Sequence, residues 1–126
     1  MRIQLMAIVF ACALASCGKP SAMDVCKKIE ASGVGANCRA SQPAGLGAGA
    51  AEKVDFDLPS VAGKTGQVLR FDKEETYRAT ELSYANMGGL AGPHRYGSPK
   101  ALIFVQMNEG LSADNGKKVK AIVDAL

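Results

Sequence analysis

The chain's one histidine, His94, sits in Gly92-Pro93-His94-Arg95-Tyr96-Gly97-Ser98-Pro99, beside a guanidinium, a phenol and a hydroxyl. Residues of these types could move a proton: an imidazole in reach of a substrate acts as general base, and Arg95 would hold an anion next to it. Catalysis also needs a nucleophile or an orienting carboxylate, which the linear order of the chain does not place. Glycine and proline at both ends explain the same stretch as a surface turn leading into an apolar strand. His94, Arg95 and Tyr96 therefore stand as a candidate ligand-contact loop, and no catalytic residue is assigned.

Two glycine-rich stretches invite comparison with phosphate cradles. Gly45-Leu46-Gly47-Ala48-Gly49 lacks the G-x-G-x-x-G spacing, and a strand pattern follows it instead of a helix. Gly63-Lys64-Thr65 would need a glycine where Leu58 stands, and Gln67 to Phe71 again reads as a strand where a P-loop needs helical amides. Gly63 and Gly66 instead fit a connection between neighbouring antiparallel strands. No cofactor is expected.

The remaining chemistry lies in four cysteines. Met1 and Arg2 form a short positive region, and the apolar run from Ile3 to Leu14 is too short to span a bilayer. Small residues then lead to a thiol in Leu14-Ala15-Ser16-Cys17. This tetrad resembles the lipobox of bacterial prolipoproteins, with Leu14 at the aliphatic position, Ala15 and Ser16 at the small ones and Cys17 at the modified one. The resemblance implies a diacylglycerol on the Cys17 thiol, cleavage between Ser16 and Cys17, and acylation of the new amine by a chain such as palmitate. Burial of about 0.8 kcal/mol per methylene makes one chain a reversible tether and two or more a stable anchor. Gly18 follows in place of the aspartate associated with inner-membrane retention, so the outer membrane is the expected address in a two-membrane host.

Residues 1–16 thus read as a lipoprotein signal peptide, 17–21 as a short lipid tether and 22–126 as a single small domain. Cys12 leaves with the signal and Cys17 carries lipid, which leaves Cys26 and Cys38 to form one disulfide in an oxidising compartment. A loop of about 13 residues closed in this way is worth roughly 3 kcal/mol. A metal site is not expected, because the cysteine spacing is not that of a zinc knuckle and one histidine offers too few partners. No nucleic acid is expected: setting aside Arg2 leaves 14 of the 15 Lys and Arg against 12 Asp and Glu, a near balance that gives no electrostatic case for it. Lys19, Lys27 and Lys28 near the anchor fit a solvated helix face.

Hydrophobic and charged fractions of 48% and 21% are those of an ordinary globular domain. Ser21 with Asp24 predicts a capped helix that presents Val25, Cys26 and Ile29 on one face and stops at Gly33. The segment from Gly33 to Ala51 has too little apolar bulk for an element and reads as a loop pinned by Cys38. Lys53 to Leu58 alternates as a half-buried strand, and Gln67 to Phe71 follows as another. Asp72 with Glu75 predicts a helix to about Asn86, in which Tyr77 and Tyr84 pack with Leu82 and Ala85 nearby. Ala101 to Met107, the most apolar run, reads as the central strand, and Ser112 caps a last helix with Val119, Ile122, Val123 and Leu126 as its buried stripe.

The expectation is an α+β fold: a small, mainly antiparallel sheet of about three strands packed by two or three helices. The expected function is that of a membrane-anchored envelope lipoprotein with a binding or structural role. Its partners would be the membrane itself and an envelope protein or the cell wall. The alternative is a small periplasmic or surface hydrolase or transferase using the His94 loop.

Overall fold

The computed structural model describes residues 18–126; the expected signal peptide, residues 1–16, and Cys17 lie outside the described residues. Helix α1 (Ala22–Ala31) begins where the sequence places it. The Ser21 hydroxyl accepts the Asp24 amide at 3.0 Å, and the Asp24 carboxylate accepts the Ser21 amide at 3.1 Å. Two otherwise orphaned donors are satisfied reciprocally, and these backbone and side-chain bonds from Ser21 hold the Asp24 carboxyl below its ordinary range. The next amide, Ala22 N–H, donates to Glu52 Oε1 at 3.1 Å, tying the first turn to the sheet. Gly33 ends the helix region at φ 85°, a left-handed conformation suited to glycine.

The sheet has five strands, not about three. They are β1 (Ala36–Ser41), β2 (Glu52–Asp57), β3 (Thr65–Arg70), β4 (Arg95–Ser98) and β5 (Ile103–Met107), arranged in the order β1-β2-β3-β5-β4 with all neighbours antiparallel. The α+β class stands. Both additional strands are edges whose residues carry no apolar alternation: Ala36–Ser41 has no buried member, and Arg95–Ser98 is half-buried along most of its length. Pairing with a better-defined neighbour, not burial, makes them strands. The most apolar strand, β5, lies between β3 and β4, while β3 holds the middle of the sheet.

Strand alternation sends side chains to two separate cores. On one face Phe56, Val68, Ile103, Val105 and Met107 meet α1 and α3 (Ala113–Asp124), which contributes Val119 and Val123. Ser112 caps α3 through the Asn115 amide at 3.2 Å. On the other face Leu69, Phe71, Leu102 and Phe104 meet α2 (Glu74–Asn86). Gly66 is required by the first core, since a Cβ there would lie 2.5 Å from Phe56 Cζ.

Helix α2 departs from expectation at its start and on its outer face. Asp72 does not cap it; its carboxylate instead accepts from Arg70 Nη1 at 2.6 Å, and Lys73 occupies the cap position without a side-chain bond. Arg70 Nε also donates to Glu52, so one guanidinium joins the strand ends to the approaches of both helices. Leu82 is 61% exposed and takes no part in packing, and Ala85 is likewise exposed. The buried residues of the helix are Tyr77, Thr80 and Tyr84. No helix among the described residues is long and apolar enough to cross a membrane.

Candidate functional site

Alternation along β4 divides the expected ligand-contact loop between opposite faces of the sheet. His94 and Tyr96 turn toward α3, and Arg95 and Gly97 turn toward α2. The His94 ring is 6% exposed. Its Nε2 lies 2.7 Å from the Leu111 carbonyl, which can only accept, so that nitrogen carries the proton. Nδ1, 3.1 Å from the Tyr96 hydroxyl, accepts from it in the neutral ring. Gly116 of α3 lies against both: a Cβ there would come within 2.5 Å of His94 Nδ1 and 2.6 Å of the Tyr96 oxygen. A helix glycine leaves room for His94 to be buried beneath it, with half-buried Tyr96 alongside. Among the described residues no carboxylate hydrogen-bonds the imidazole.

Arg95 has a different setting. Its Nη1 donates to the Tyr84 carbonyl at 2.5 Å, an oxygen in the last turn of α2 that also accepts the Met87 amide at 3.2 Å, where a cation is favoured by the helix dipole. No carboxylate among the described residues lies within ion-pair distance of it. A guanidinium has five N–H donors, and no buried side-chain polar atom lacks a partner, so the remaining donors face solvent. Arg95 lines a cleft of about 220 Å³ between α2 and β4.

Glu81 and Ala85 form the helix wall of this cleft, Pro93 and Arg95 the strand wall, and Gly97 with the Phe104 ring the floor. Glu81 Oε2 accepts the Tyr77 hydroxyl at 2.8 Å. Burial, reinforced by that carboxylate, pushes the Tyr77 phenol far above its ordinary range, so it is a fixed donor at physiological pH. Tyr84 stacks on Phe104 with centroids 5.1 Å apart, and its hydroxyl, raised in pKa by burial, accepts from Gln67 Nε2 at 2.9 Å. The cleft thus carries a cation and a carboxylate on opposite walls above an aromatic floor, and each charge is oriented by a neighbour that does not neutralise it.

Of the three candidate ligand-contact residues, His94, Arg95 and Tyr96, Arg95 alone lines this cleft. Glu81, Gly97 and Phe104 carried no motif; the only signal was that Gly97 interrupts a strand, which often marks a close approach by another element. Cys26 and Cys38 are joined, with sulfurs 2.13 Å apart, fastening α1 to β1. Cys17 lies outside the described residues. Among those residues no three His, Cys, Asp or Glu side chains are grouped to hold a metal ion.

The fold and cleft define an α+β domain whose antiparallel sheet is covered on both faces and opens beside one edge strand. No protein-family model matches the chain, and no curated protein and no solved structure matches it.

Proposed function

We propose that the protein is a bacterial envelope lipoprotein, exported and held on a membrane by lipid on Cys17, whose folded part binds a partner or ligand at the membrane surface. Leu14-Ala15-Ser16-Cys17 behind a short positive and apolar leader carries this reading. The beginning of the fold supports it. Ser21 already caps α1, so only Gly18 to Ser21 separate the anchor from the folded part, a reach of about 14 Å when extended. The domain would work against the membrane, on the outer membrane of a two-membrane host. The cleft opens on the sheet face opposite α1, away from the helix that carries the tether, which favours a binding role over a purely structural one.

Labelling with a fatty-acid analogue tests the anchor. The native chain should incorporate the label and sediment with membranes, and Cys17→Ser should lose both properties; persistent labelling of the variant overturns the proposal. The alternative, a hydrolase or transferase acting through His94, gains no support from an imidazole whose two nitrogens are both occupied.

A further inference from the structure

Opposed charges on the two walls of the α2–β4 cleft limit what can enter it. A simple anion drawn to Arg95 would meet the Glu81 carboxylate, and a simple cation drawn to Glu81 would meet the guanidinium. Had the two side chains closed on each other, the cleft would be self-neutralised, but no ion pair forms between them. Each is held back by another partner: Arg95 by the Tyr84 carbonyl, Glu81 by the Tyr77 hydroxyl. Glu81 Oε2 lies over Gly97, 3.0 Å from the position a Cβ would take there, and Gly97 is two residues along β4 from Arg95, about 7 Å at strand spacing.

We propose that this cleft binds a small zwitterion of the α-amino-acid class, its carboxylate on the free donors of Arg95, its ammonium on Glu81 and its side chain over Phe104. The proposal rests on the reading of the domain as a binding module and names its ligand class. A volume of about 220 Å³ lies below the roughly 300–1,000 Å³ of sites for drug-sized molecules, which fits a ligand of this size. Arginine suits the carboxylate end because its fork matches two oxygens at once. Ala85 supplies exposed apolar surface for the ligand's side chain, and Phe104, 3% exposed, backs the floor.

The test is a nuclear magnetic resonance titration of the isotope-labelled full chain, in detergent where lipid is attached. The probes are the common L-amino acids singly and D-alanine, followed by the N-acetyl and carboxamide forms of any that bind. Saturable shifts at the Ala85, Arg95 and Gly97 amides are expected with at least one free amino acid. Capping either end of the ligand should weaken binding about tenfold or more, as should Arg95→Gln or Glu81→Gln, because each removes a charge-assisted contact. Absence of shifts with every probe overturns the proposal, and so does equal binding of the capped forms. The capped ligands need no variant, so poor folding of a substituted chain leaves the answer intact. Failure here would leave the Cys17 labelling result untouched, so the two readings fall separately.

Discussion

Gly97 of β4 passes so closely beneath the Tyr77 hydroxyl that a methyl group at that position would overlap the oxygen, and would also come within 3.0 Å of Glu81 Oε2. The approach of α2 to the edge strand, and with it the cleft, depends on the absence of one side chain. Gly97→Ala should therefore destabilise the fold by about 1–3 kcal/mol through overpacking, read as a lower urea midpoint. An unchanged midpoint would mean that α2 can lift off the strand freely.

His94 is expected to behave as a packing residue. His94→Ala removes a buried ring and leaves the Leu111 carbonyl and the Tyr96 hydroxyl without their partner, so a loss of about 2–4 kcal/mol is expected in denaturant unfolding. A stable variant that had lost a chemical activity would instead revive the general-base reading.

Joining Cys26 to Cys38 holds an edge strand that buries little of its own surface. Replacing both with serine should cost roughly 2–5 kcal/mol, with the greatest gain in amide exchange along β1. Mass analysis of the non-reduced native chain should find the two joined; two alkylatable thiols would remove the bridge from the account.

Tyr77, Tyr84 and Tyr96 all have phenols raised above their ordinary range, in each case chiefly by burial. A raised folded-state pKa means that the unfolded chain gives up these protons first. The stability linked to them is whole below the unfolded value of about 10 and is lost as pH climbs through the folded values. Ultraviolet titration should show phenolate appearing together with alkaline unfolding. Phenolate formation near pH 10 in a chain that stays folded would contradict the burial described here.

Local chemistry made much of the fold legible. The Ser21–Asp24 and Ser112 caps, the alternation of Val54, Phe56 and Leu58, and the stripe on the last helix are short-range patterns in which residue type and period alone dictate the element. Asp72 misled because a carboxylate near a helix start has competing partners, and Arg70 on the preceding strand took it. The edge strands were hidden for a related reason: Ala36 to Ser41 and Arg95 to Ser98 pair through backbone groups, which every sequence possesses.

By itself the sequence determined the candidate lipid anchor at Cys17, the pairing of Cys26 with Cys38 and the α+β class, because each depends on neighbours in the chain or on a count. Only the tertiary structure decided that His94 is buried under Gly116 while Arg95, one residue on, opens into a cleft facing Glu81. The alternation of a strand separates adjacent residues to opposite faces, and the register of β4 decides which face each receives. That register is set by pairing with β5 and by the helices on either side, contacts between parts of the chain far apart in sequence.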